Sequence, residues 1–262
     1  MSDPVRLTVV GSGNASNAAG RGHSCYWLEG VLPEGALMVD FGGTALAGLK
    51  GLGLDPLRLS LLAFTHLHGD HIGGYPFLVI DAMYDRLRTA PLQIVGPLGV
   101  EERLETLLRV CYGTLAEKER PFALSYHELS PGDVFALPAG GSIQASAADH
   151  QHPPDVPLCL RIRGAAGQTV AFSGDTRICE GLFEAARGAD LLVAECSALE
   201  PPCGAHSSWA EWREVSAKLD CPRLLLTHLG EDVRDRIPEL AGEGLAGVEV
   251  EFADDGRTLE VG

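Results

Sequence analysis

Residues 65–71 read Thr-His-Leu-His-Gly-Asp-His, directly after the apolar run Leu59-Ser-Leu-Leu-Ala-Phe64. A buried strand therefore ends where four metal-binding side chains begin. Residues two apart on an extended chain point to the same side, so His66 and His68 can converge on one ion. The turn at Gly69 then lets Asp70 and His71 face a second ion close by. Imidazole and carboxylate suit zinc first, with manganese or iron as alternatives. This block cannot fill a two-metal centre alone. Further candidates are His150, Asp175 and His228, each following an apolar run, and His206, just ahead of a helical stretch. The chemistry expected of such a centre is hydrolysis. Paired dications lower the pKa of water to about 7, and the resulting hydroxide attacks phosphorus, sulfur or a carbonyl carbon.

Short apolar runs recur that can hold these groups as strands: residues 5–10, 37–41, 59–64, 92–95, 143–147, 159–162, 169–172, 191–194, 224–226 and 248–252. Helical stretches lie between several of them, at 44–52, 100–111, 180–187, 208–219 and 233–240. In the second, Val100, Leu104, Leu107 and Leu108 fall on one stripe at the helical period. Strands alternating with helices predict an α/β chain. The runs fall on either side of the Pro/Gly-rich stretch 130–141 and predict two halves of one domain spanning residues 1–262. Ala165–Gly167 and Ala253–Asp255 predict hairpin turns. Gly11-Ser-Gly-Asn-Ala-Ser16 lacks the Lys-Ser/Thr of a phosphate loop, so its glycines are expected to turn the chain beside the metal site. Arg86 and Arg88 predict a solvated face.

A chain of 262 residues with 45% apolar content buries a substantial core. Its formal charge of −16 argues against a broad nucleic-acid surface and against anionic membranes. No run approaches the roughly 18 apolar residues of a membrane helix. The opening Met-Ser-Asp-Pro has no basic, apolar leader pattern. Seven cysteines without a Cys-x-x-Cys motif predict reduced thiols and a cytoplasmic location.

Taken together, these motifs resemble the metallo-β-lactamase-fold hydrolases. The resemblance runs through Gly11-Ser12-Gly13, Val39-Asp40-Phe41-Gly42, the His-x-His-x-Asp-His block, Gly174-Asp175-Thr176 and Thr227-His228. It implies a four-layer αβ/βα sandwich of two mixed β-sheets flanked by helices. It also implies two divalent ions: His66, His68 and His150 on one, Asp70, His71 and His228 on the other, with Asp175 bridging. His150 has the expected spacing from the preceding strand, whereas His152 lies closer to the next strand and is the alternative ligand. Dimerisation is an expectation at family level.

The finer pattern is similar to the arylsulfatase and ribonuclease Z branch, on Asp190-Leu-Leu-Val-Ala-Glu-Cys196, His206-Ser-Ser208 and Pro91-Leu-Gln-Ile-Val-Gly-Pro97. That likeness implies that His206 protonates the leaving oxygen while Glu195 orients His206. Asp70 is placed to orient the hydroxide or take its proton as well as to bind metal. The expected function is hydrolysis of a phosphodiester or related small sulfate or carboxylic ester, anionic or neutral. The alternatives are ribonuclease Z-type tRNA 3′ processing and lactone or thioester hydrolysis. Nucleic acid is disfavoured because the short span from His150 to Asp175 leaves no room for an RNA-gripping arm.

Overall fold

The computed structural model describes residues 4–262; Met1–Asp3, part of the segment read above for a leader, lie outside them. Two sheets of seven strands are stacked face to face. The first contains β1 (Val5–Gly11), β2 (Cys25–Glu29), β3 (Ala36–Val39), β4 (Leu59–Ala63), β5 (Leu92–Pro97) and β6 (Leu124–Leu129). The second contains β7 (Val134–Ala136), β8 (Ser142–Ala147), β9 (Leu158–Arg163), β10 (Thr169–Phe172), β11 (Leu191–Glu195), β12 (Arg223–Thr227) and β13 (Glu249–Phe252). The last strand, β14 (Thr258–Val261), returns to pair with β1. Both sheets are mixed: β3 to β6 run parallel, as do β10 to β13, and the other pairs are antiparallel.

Parallel strands must be covered on both faces, so their sequences are apolar almost throughout. β4 illustrates the rule. Leu61 and Ala63 join the core between the sheets, while Leu59, Leu62 and the following Phe64 join the helix-side core. A third cluster packs helices Glu180–Ala186, Trp209–Val215 and Ile237–Glu243 on the second sheet. The result is the expected helix–sheet–sheet–helix layering. In the helix Val100–Tyr112, Val100, Leu104 and Leu108 are buried one turn apart against the first sheet. Truncating Leu104 to Ala there would cost about 2–5 kcal/mol.

Several expectations need correction. Ala253–Asp255 closes no hairpin, because it carries the chain from β13 in one sheet to β14 in the other. The stretch 233–240 is two helices, Glu231–Asp235 and Ile237–Glu243, with Pro238 in the first turn of the second. Arg88 is buried rather than solvated and donates to the carbonyls of Leu59, Ala90 and Pro91. Strands β2, β6, β7 and β14 and the helix Tyr75–Ile80 were not expected. Among the described residues, no helix is long and apolar enough to cross a membrane.

Candidate metal centre

Four strands deliver the site. His66 follows β4, Asp175 follows β10, Glu195 ends β11 and His228 follows β12. These ends belong to the parallel parts of the two sheets, and strand C-termini are where such folds gather ligand groups. Two contacts lock the sheets together here. Leu158 N–H donates to Thr65 O at 2.8 Å, and Tyr26 Oη lies 2.8 Å from Thr227 Oγ1. Gly174 adopts φ 57°, and a Cβ there would stand 2.8 Å from Thr65 Cβ, so no other residue fits this turn.

His66 and His68 lie on extended chain, and His68 caps a short helix, Gly69–Ile72, that turns Asp70 and His71 inward. His66, His68 and His150 form one group of converging donor atoms, and Asp70, His71, Asp175 and His228 form another. His150 Nε2 stands 3.0 Å from His68 Nδ1. Asp175 touches both groups: its Oδ2 is 3.8 Å from His66 Nε2 and 3.4 Å from His228 Nε2, and its Oδ1 is 3.3 Å from His71 Nε2. Asp70 Oδ2 lies 3.4 Å from His71 Nε2 and 3.3 Å from His228 Nε2.

The outward ring nitrogens are held by the protein. His66 Nδ1 faces Thr65 Oγ1 at 3.2 Å, and His71 Nδ1 faces Asp40 Oδ2 at 2.7 Å. His150 Nδ1 donates to Ala205 O at 2.9 Å, and His228 Nδ1 pairs with Ser197 Oγ at 3.1 Å. With Nδ1 occupied, Nε2 of each points inward. Nε2 of His66 and of His71 is buried and has no hydrogen-bond partner among the described residues. An orphaned buried polar atom costs about 1–3 kcal/mol, a cost that a cation among the donors removes. Imidazoles oriented by outer partners, with carboxylates between them, are a donor set that suits a divalent metal.

The electrostatics agree. Burial, aided by the neighbouring His71, holds His66 well below the ordinary histidine range, so it is a neutral ligand-ready ring. Burial also opposes charge on His71 and His228, but Asp175 with Asp40 or Asp70 outweighs it and raises both. Burial would raise Asp175, yet the facing His228 and His71 hold it well below the usual carboxylate range. Positive charge is thus favoured beside Asp175 and Asp70 and disfavoured at His66.

Beside the donor groups, His206 Nδ1 lies 2.9 Å from Glu195 Oε1. Glu195 is buried; its Oε1 accepts from Thr176 N–H at 2.8 Å and its Oε2 from Ser197 Oγ at 2.7 Å. The helix Trp209–Val215, capped by Ser208 and Glu211, fixes the segment just after His206. Burial lowers His206, but Glu195 and Asp175 more than restore it and raise it above the ordinary value.

The structure thus brings together His66, His68, Asp70, His71, His150, Asp175, Glu195, His206 and His228. His152 is exposed and belongs to none of the donor groups. Asp40 and Ser197 received no role from the sequence. Asp40 lies in the Val39-Asp-Phe-Gly42 motif, and its φ of 57° just after β3 is a backbone feature that residue types do not encode. Gly13 bridges to Leu229 beside His228, so the glycine loop does turn next to the site.

A sequence profile described as a beta-lactamase superfamily domain matches residues 45–229. The chain is 28% identical to a ribonuclease Z of Methanothermobacter thermautotrophicus, covering 98% of this chain and 97% of the relative. The metallo-β-lactamase-fold protein YhfI of Bacillus subtilis superimposes with a TM-score of 0.79 at 22% identity, covering 98% and 99% of the two chains. The short form of human tRNase Z does so with a TM-score of 0.77 at 21% identity, covering 98% and 99%. At those identities the two structures bear on fold alone. The exclusion of nucleic acid expected from net charge finds no support beside a relative named ribonuclease Z, since a total charge does not describe the local field of the His/Asp cluster. With its profile match, its paired sheets and its converging strand ends, the chain belongs to the beta-lactamase superfamily and has the metallo-β-lactamase fold.

Proposed function

We propose that this protein is a dinuclear, metal-dependent hydrolase of phosphodiesters, with zinc as the first choice of ion and manganese or iron as alternatives. The observation that carries the reading is Asp175, whose two oxygens face imidazole nitrogens of both donor groups. His66, His68 and His150 would hold one ion and Asp70, His71 and His228 the other, with Asp175 shared. Bound there, two dications would lower the pKa of water to about 7 and draw charge from the ester oxygens. Asp70, already close to His71 and His228, can take or orient a proton at the attacking oxygen. His206 is oriented through Nδ1 by Glu195, which leaves Nε2 to hand a proton to the departing oxygen. Glu195 is fixed in turn by Thr176 N–H and Ser197 Oγ, so the acid is held in one orientation.

The ribonuclease Z relative favours a phosphodiester over a lactone or thioester. It also supports a second reading, endonucleolytic processing of a tRNA 3′ end. A parallel panel separates these: bis(p-nitrophenyl) phosphate, an aryl sulfate, an acyl-homoserine lactone and a precursor tRNA. The proposal expects the diester to be turned over fastest. Cleavage of the lactone or sulfate in preference to the diester would overturn it. Specific cutting of the precursor would make the second reading the right one.

A further inference from the structure

Outside the donor groups, two cysteines meet where the helix Glu180–Ala186 rests on the second sheet. Cys159 lies on β9 directly opposite Ser146 of β8. Residues paired in this way present their side chains on one face of the sheet. Ser146 Oγ donates to Gly181 O at 2.7 Å, so that face is the one under the helix. The helix is pressed against β8, since a Cβ on Gly181 would collide with Ala147 O. Cys179, just before the helix, places its Sγ 3.6 Å from the same Ala147 O and 3.4 Å from Thr176 Oγ1. The thiols of Cys159 and Cys179 lie within hydrogen-bonding reach of each other. Cys159 is fully buried, whereas Cys179 is partly exposed.

The contact divides the two thiols chemically. The Cys159 hydrogen bond, helped by Thr176 and the backbone of Leu182 and Asp149, outweighs burial and brings Cys179 down to about 5. Cys159 moves the other way, because the bond to Cys179 and its own burial keep it protonated. Burial also pushes up Cys25, Cys196, Cys203 and Cys221. A partly exposed thiolate with a second thiol at its side is poised for oxidation to a disulfide. We propose that Cys179 is a hydroperoxide-reactive thiol and Cys159 its resolving partner, the two joined after oxidation by a reversible disulfide. Cys179 sulfur attacks one oxygen of hydrogen peroxide and the O–O bond breaks. The other oxygen leaves as hydroxide and takes up the proton that Cys179 had released. Cys159 sulfur then loses its proton and attacks the sulfenic sulfur of Cys179. The S–O bond breaks, and the departing hydroxide takes that proton. Two thiols and one peroxide give one disulfide and two waters. Neither sulfur belongs to a donor group, so the step is separate from ester hydrolysis.

The test treats the full-length, zinc-loaded protein with an equimolar amount of hydrogen peroxide. Remaining thiols are then blocked with N-ethylmaleimide and the peptides mapped by mass spectrometry. The wild-type map should contain a Cys159–Cys179 link that dithiothreitol removes. In Cys159→Ala the link is lost, and Cys179 is recovered as a sulfenic acid trapped by dimedone. Cys179→Ser should give neither product and consume peroxide about tenfold or more slowly than wild type. Cys179 recovered from wild type as a free thiol, or linked to a cysteine other than Cys159, overturns the assignment. So does peroxide consumption that Cys179→Ser leaves unchanged. The wild-type map needs no substitution in the core, so it decides the question even if Cys159→Ala does not fold.

Discussion

Asp40 Oδ2 lies 2.7 Å from Nδ1 of His71, with both side chains buried. The same carboxylate accepts from Thr65 N–H at 2.9 Å and from Thr65 Oγ1. One side chain thus fixes the tautomer of His71 and the backbone that presents His66. Its position at φ 57° lets it do both from the end of β3.

Removing this partner should weaken metal binding without deleting a donor. Asp40→Ala is expected to lower metal affinity by about 10–100-fold, measured by competition with a chromogenic chelator. Unchanged affinity would mean that His71 needs no outer partner.

His150 and His152 should separate cleanly. His150→Ala removes a donor 3.0 Å from His68 and should lose the ion held beside His66 and His68. His152→Ala changes an exposed ring and should retain full metal content, as read by elemental analysis. The reverse pattern would exchange their roles.

His206→Ala should slow esters with poor leaving groups far more than those with good ones. General acid catalysis contributes about 10²–10⁴-fold, and p-nitrophenolate needs little of it. Rates for alkyl and p-nitrophenyl esters check this. Equal losses on both would remove the acid role and leave His206 a positioning residue.

Away from the site, Glu105 accepts from Arg120, Tyr75 and Tyr126. Burial alone would raise its carboxyl, but the Arg120 and Tyr126 contacts outweigh it and leave it below the usual range. A carboxylate depressed by folding stabilises above its unfolded pKa of about 4.3, and that contribution is lost as pH falls through the folded value. Glu105→Gln should therefore cost about 1–3 kcal/mol at neutral pH, with the gap to wild type closing in acid. Urea unfolding at both pH values is the measurement; a gap that widens in acid would contradict it.

The grouping of these donor side chains was legible in the sequence because residue types and spacings are local. His66 to His71 occupy one strand end and one turn, and Asp175 and His228 each close an apolar run. Resemblance added the pairing of His206 with Glu195, which the structure places at 2.9 Å. What escaped was held by tertiary contacts. Asp40 and Ser197 act through partners 31 residues away in sequence, so no local pattern assigns their roles, even where Asp40 falls in a motif. In the fold, β6, β7 and β14 lie at sheet edges, where half-polar strands lack the continuous apolar run of β4 or β11. The destination of Ala253–Asp255 required knowing that β14 pairs with β1.

The central claim is a two-ion centre that hydrolyses phosphodiesters. The direct test is to strip the protein with chelator and follow bis(p-nitrophenyl) phosphate hydrolysis as zinc is returned. Activity should rise from background and level off at about two equivalents per chain. A plateau at one equivalent or less, or turnover that does not depend on added metal, would contradict the account.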